Sequence, residues 1–150
     1  MISRGSVRFN CCESVLMKVN QARPLCGFSA PIMRIASNFG GGVGGWGSVC
    51  GAAGGANMVL GLVCGTEGNE SPEEFINKRE KQRALAQEFM KSFEARFGSV
   101  NCVNLVGVDF RTEEGKKRYR EMSERGETRC GEYIDWSAAR ILDIIASCSK

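Results

Sequence analysis

Between Arg34 and Glu67 the chain carries no charged side chain, and nine of its 19 glycines fall within residues 40 to 55. This combination constrains the fold more than any other feature. An uncharged, glycine-dense segment belongs in an interior, and its bare backbone invites something to approach closely. A bilayer span needs about 20 consecutive apolar residues. The purely apolar part here is shorter and is broken by glycines, Ser48 and Asn57. The segment therefore reads as a buried central helix over 49–64, closed by Gly65 as a left-handed cap, and no membrane association is expected.

The flanking sequence is helical in pattern. Asn10 followed by Glu13 forms a capping box that opens a helix through Val15, Leu16 and Val19. A short helix covers 32–38. Ser71, Pro72 and Glu74 open a long helix to Phe97, with Phe89, Phe93 and Phe97 on one face and Gly98 at its end. Ser99, Thr112 and Thr128 are candidate caps for three further helices. No alternating run bounded by hairpin turns predicts a strand. The expectation is an all-α fold: a single-domain bundle over 1–150 with six to seven helices around the glycine-rich one, in a chain long enough to bury a core.

Residues Gly42-Val43-Gly44-Gly45-Trp46-Gly47 match G-x-G-x-x-G, the dinucleotide fingerprint. That motif needs a strand before it and an acidic residue at a strand end about 20 positions on. Here helix precedes it and Glu67 falls in a loop, so nucleotide binding is not expected. Gly51, Gly54, Gly55 and Gly61 would each cost a helix about 1 kcal/mol relative to alanine. A neighbouring helix, a second sulfur or a bound cluster would justify that cost.

The net charge of +3 gives no strong attraction to polyanions, and Lys116-Lys117-Arg118-Tyr119-Arg120 lies among Glu113, Glu114 and Glu121. This is a solvated helix face, and nucleic acid is not an expected partner. The opening residues MISRGSVRFNCC lack the apolar core of an export signal, so a cytoplasmic location is expected.

Eight cysteines without a single histidine are the chemical anomaly. In a reducing compartment they favour metal binding or redox work over a disulfide framework. The missing histidine removes Cys–His nucleophilic pairs and Cys/His zinc sites within this chain. No C-x-x-C occurs. Position is more telling: Cys12, Cys50, Cys102 and Cys130 each follow a candidate cap (Asn10, Ser48, Ser99, Thr128) by two or three residues. First turns of helices hold unpaired N–H groups and the positive dipole end, which favour a thiolate. The four are therefore expected to meet at a shared electropositive site. Cys11, Cys26, Cys64 and Cys148 read as buried or incidental thiols.

The pieces NCCESVL, GSVCGAAGGANMVLGLVCG, FGSVNCVNLVG and the late Cys130 resemble the family of small redox-active cysteine proteins named for its C, GCAxxG, C, C pattern. The central motif is Cys50-Gly51-Ala52-Ala53-Gly54-Gly55. The resemblance implies that Cys12, Cys50, Cys102 and Cys130 are the family's four, with Cys11 able to take the first place. It implies redox-active cysteines without supplying a reaction.

Three functions remain open on sequence. Two cysteines cycle between dithiol and disulfide, with Cys50 as the attacking thiol and an unidentified redox partner. Alternatively, the four thiolates hold zinc or an iron–sulfur cluster, with Gly51, Ala52 and Gly55 giving a cofactor room at the backbone. In the third, an interaction module merely buries its thiols. The small-residue helix over 51–61 is also a surface on which two copies could pair as a homodimer.

Overall fold

The computed structural model describes residues 2–4 and 7–149. Seven α-helices carry the fold: α1 (Cys11–Ala22), α2 (Ala30–Ala36), α3 (Gly51–Cys64), α4 (Pro72–Phe97), α5 (Cys102–Val106), α6 (Glu113–Glu124) and α7 (Cys130–Ala146). The only strands among the described residues are two-residue segments, β1 (Ser3–Arg4) and β2 (Val7–Arg8), paired antiparallel.

Helices α1, α3 and α7 pack on one another, and α4 lies against α3 and α7. On α1 the buried positions Cys12, Val15, Leu16 and Val19 repeat at helical spacing and are fully buried. They meet Ala52, Ala53, Ala56, Val59 and Leu60 of α3 and Ile134, Ile141 and Ile145 of α7 in one core. Each large aliphatic side chain taken out of water there contributes about 1.5–3 kcal/mol. Helix α4 adds Phe89 and Phe93, and Phe97 meets the Phe93 and Tyr133 rings edge-on, each with centroids 4.8 Å apart.

Local signals fixed several boundaries. The Asn10 side chain accepts from the Glu13 N–H at 3.0 Å, while the Asn10 N–H donates to Glu13 Oε2 at 2.7 Å. The Asn10 amide also donates to the Ala36 and Ser37 carbonyls, tying the end of α2 to the start of α1. Ser71 and Glu74 form the same box on α4, Gly98 is left-handed behind it, and Thr112 caps α6.

Other expectations are corrected. Gly65 does end α3, but in an extended conformation, φ −72° and ψ 167°, with its N–H on the Gly61 carbonyl. Ser48, Ser99 and Thr128 are not the caps of α3, α5 and α7; Cys50, Asn101 and Arg129 occupy those positions. Ser99 instead receives the Asn101 N–H, and Ser48 Oγ donates to the Gly42 carbonyl.

The candidate cysteine site

The approach to α3 is built by glycine. Gly41, Gly42, Val43, Gly44 and Gly45 all have positive φ, from 57° to 76°. Such a run is open to glycine and strained for Val43. The nucleotide-like pattern is therefore a left-handed turn that follows a 3₁₀ turn, with no strand ahead of it. Ser48 and Gly47 then pair with the segment entering α5: Cys102 N–H donates to Ser48 O at 2.7 Å, Val103 N–H to Gly47 O at 3.0 Å, and Cys50 N–H to Val100 O at 2.8 Å. Around the Val49–Asn101 bridge this is an antiparallel ladder. Side chains alternate across it, so Val49 and Asn101 face outward while Cys50 and Cys102 are buried.

Close helix approach brings in the third sulfur. A Cβ on Gly51 would lie 2.7 Å from the Phe39 carbonyl oxygen and 3.2 Å from Cys11 Cβ. A Cβ on Gly55 would lie 2.7 Å from the Cys12 carbonyl oxygen. These two glycines, one turn apart, let α3 cross the first turn of α1 in backbone contact. The object that needed room is thus α1 itself. Gly54 and Gly61 meet only ordinary contacts, at 3.5 and 3.7 Å, so close approach does not explain them. Ala52 and Ala53, the remaining motif residues, are fully buried.

Cys130, the first residue of α7, supplies the fourth sulfur. Cys11 S–H donates to it, and Tyr119 O–H from α6 donates at 3.8 Å. Cys11 and the sulfurs whose charge it would feel, Cys130, Cys50 and Cys102, form one electrostatic cluster, and Cys12 feels Cys50 as well. The four come from the starts of α1, α3, α5 and α7. Cys12 is not among the four. It points the other way into the core, fully buried, with its Sγ 3.5 Å from Met58 Sδ. The helical phase explains this: Cys12 continues the Val15, Leu16, Val19 stripe, and Cys11 lies off it. That periodicity was the signal in the sequence that separates the two.

Electrostatics divides the four sharply. Burial pushes the Cys102 thiol up to about 12, with Cys50 and Cys130 adding to it. Burial likewise raises Cys50, although the backbone N–H groups of Ala52 and Ala53 favour its ionised form. Cys11 is raised, first by its hydrogen bond to Cys130 and then by burial. Cys12, in the core, is raised to about 12 by burial. Cys130 alone goes down, to about 7: the Cys11 hydrogen bond outweighs burial, and the Tyr119 hydrogen bond adds to the lowering. Position at a helix start is therefore insufficient; desolvation wins unless the groups facing the sulfur outweigh it, as they do at Cys130 and not at Cys50.

All eight cysteines are free thiols. Among the described residues no group of three or more Cys, Asp or Glu side chains is arranged to hold a metal ion. No helix of the described residues is long and apolar enough to cross a membrane.

Fold and sequence together define an all-α protein in which Cys11, Cys50, Cys102 and Cys130 stand at the starts of four separate helices. The chain belongs to the family described as "Putative redox-active protein (C_GCAxxG_C_C)", whose model matches residues 9–144, nearly the whole chain. No curated protein and no solved structure matches it significantly.

Proposed function

We propose that the protein carries out thiol–disulfide exchange, with Cys130 as the attacking thiol and Cys11 as its resolving partner. The observation that carries this is the Tyr119 hydroxyl, which donates to Cys130 Sγ at 3.8 Å, beside a Cys11 thiol whose coupling to Cys130 lowers the one sulfur and raises the other. Cys50, the attacking thiol expected from sequence, is raised by burial, which outweighs the Ala52 and Ala53 N–H groups that face it.

In the exchange, the Cys130 thiolate attacks one sulfur of a substrate disulfide and the other leaves as thiolate, taking a proton from water. Neutralising Cys130 in the mixed disulfide removes the charge that held the Cys11 proton. Cys11 ionises, attacks Cys130 Sγ and releases the second substrate thiol. Two protein thiols and one disulfide thus become one protein disulfide and two thiols. Cys50 and Cys102 stay neutral behind the pair. Tyr119 lies over the site with Phe110 edge-on to it, centroids 4.9 Å apart, and limits access to Cys130. Exposed Trp46, Val43 and Val49 around the adjoining glycine turn give a protein-sized disulfide substrate an apolar surface.

Stoichiometric oxidation of the reduced protein, followed by alkylation and peptide mapping, tests the assignment. A Cys11–Cys130 crosslink is the expected product, and Cys11→Ser traps the substrate on Cys130. An oxidised protein in which Cys130 is still alkylatable refutes the proposal.

A further inference from the structure

Two thiols stand at the opposite end of α3, about 20 Å from Cys50 at 1.5 Å of rise per residue. Cys64 closes α3, and Cys148 lies in the 3₁₀ turn after α7. Both line one cleft of about 230 Å³, with Lys78, Lys81, Gln82 and Leu85 of α4 and Val63 beside them. Cys64 and Cys148 face each other closely enough in that cleft to couple electrostatically, and Cys148 S–H donates to the Ile144 carbonyl at 3.9 Å. Cys148 falls beyond residue 144, where the family match ends, and Cys64 is outside the four-cysteine pattern. The family's shared chemistry therefore does not account for the pair.

We propose that Cys64 and Cys148 form a second, independent dithiol site, which reduces low-molecular-weight anionic disulfides and closes a Cys64–Cys148 bond. It goes beyond the exchange assigned to Cys11 and Cys130 and does not depend on it. Three features support it. The two sulfurs line the same small cleft. The cleft is open to solvent and small, which suits a peptide-sized disulfide better than a protein. Its chemistry is cationic: Lys81 and Arg23 act on Cys64 in favour of its charged form, against burial and the neighbouring sulfur that push it up to about 12. Carboxylates on an incoming disulfide would meet Lys81, since Lys78 is already paired with Glu70 at 3.0 Å.

Cys148, whose S–H donates to the Ile144 carbonyl at 3.9 Å, gives up that proton to solvent and attacks first. Its thiolate displaces one half of the small disulfide as thiolate, leaving a mixed disulfide on Cys148. Cys64 then loses its proton, attacks Cys148 Sγ and releases the other half. The small disulfide gains two electrons and two protons and departs as two thiols; the two cysteines lose the same and become one disulfide.

Oxidised glutathione is the probe. The reduced full-length protein is exposed to it, quenched by alkylation and digested with trypsin, and the linked sulfurs are located by tandem mass spectrometry. A bond between Cys64 in fragment 35–78 and Cys148 in fragment 141–150 is expected, with the loss of two alkylatable thiols. It forms equally in the Cys11→Ser/Cys130→Ser protein, so the two sites are scored separately in one digest. Cys64→Ser leaves glutathione trapped on Cys148. Lys81→Gln slows the reaction several-fold with oxidised glutathione and leaves it unchanged with the neutral hydroxyethyl disulfide. Cys148 remaining free, or crosslinked to a cysteine other than Cys64, overturns the site; equal Lys81→Gln effects on both probes overturn its preference for anions.

Discussion

Adjacent glycines of α3 answer oppositely to the same added methyl group. At Gly55 the new Cβ would stand 2.7 Å from the Cys12 carbonyl oxygen, 3.0 Å from Val15 Cβ and 3.1 Å from Cys12 Cα. Two of these are backbone atoms of α1 and the third is the branch point of a buried valine, so no flexible tip can swing aside. Restoring an ordinary 3.4 Å contact means moving the helices apart by 3.4 − 2.7, about 0.7 Å. That shift loosens the fully buried α1–α3 layer, at an overpacking cost of about 1–3 kcal/mol. Alanine returns about 1 kcal/mol of helix propensity. Gly55→Ala is therefore a net loss of up to about 2 kcal/mol. At Gly54 the nearest atom is Phe39 Cδ1 at 3.5 Å, an ordinary contact. There the propensity gain stands almost alone, and Gly54→Ala stabilises by about 0.5–1 kcal/mol. Urea unfolding under reductant reads both, with unchanged slopes showing a change of stability and not of the unfolded state. Gly55→Ala proving as stable as Gly54→Ala would refute the claim that α3 glycine exists to admit α1.

Three further outcomes follow from the same geometry. Ser137 Oγ is buried without a hydrogen-bond partner, so Ser137→Ala should raise stability by about 1 kcal/mol in the same urea assay. Tyr119→Phe removes one donor to Cys130, and the pH midpoint of Cys130 alkylation should rise by up to about one pH unit. Stability should also depend on pH in two opposite windows. Cys130 has a folded pKa of about 7 against an ordinary 9.0, so its contribution is fully present above 9.0 and is lost as pH falls through about 7. Cys12 and Cys102, at about 12 when folded, stay protonated above pH 9.0 while the unfolded chain ionises, so stability falls there as pH rises. A urea midpoint that climbs steadily from pH 8 to pH 11 contradicts the second window.

Much of the scaffold was legible because its signals are local. Asn10 with Glu13, Ser71 with Pro72 and Glu74, and the Phe89, Phe93, Phe97 spacing each act within one or two helical turns, and each appears as read. The cysteine caps were misread because their determinants are distant in sequence. Ser48 looks like a cap by type, yet residues 47–50 are drawn into a ladder with 100–103, a pairing that no local pattern announces. That ladder sets the start of α3 and seats Cys50 beside Cys102. The positional idea, sulfur at helix starts, survived in the geometry, whereas its electrostatic corollary did not. Helix ends favour charge, but burial of Cys50 and Cys102 outweighs them. Two backbone N–H groups do not rescue Cys50, whereas Cys11 and Tyr119 together outweigh burial at Cys130, and they lie 119 and 11 residues away in the chain.

The central claim is that one sulfur of the eight is held ionised near neutrality by its neighbours. Titration of the reduced protein with ¹³Cβ-labelled cysteine, followed by NMR, tests it directly, with Cys130→Ser identifying the resonance. The account predicts that the Cys130 signal shifts with a midpoint at about pH 7 while Cys12 and Cys102 do not move below pH 10. A Cys130 midpoint at or above 9.0, the ordinary thiol value, contradicts it.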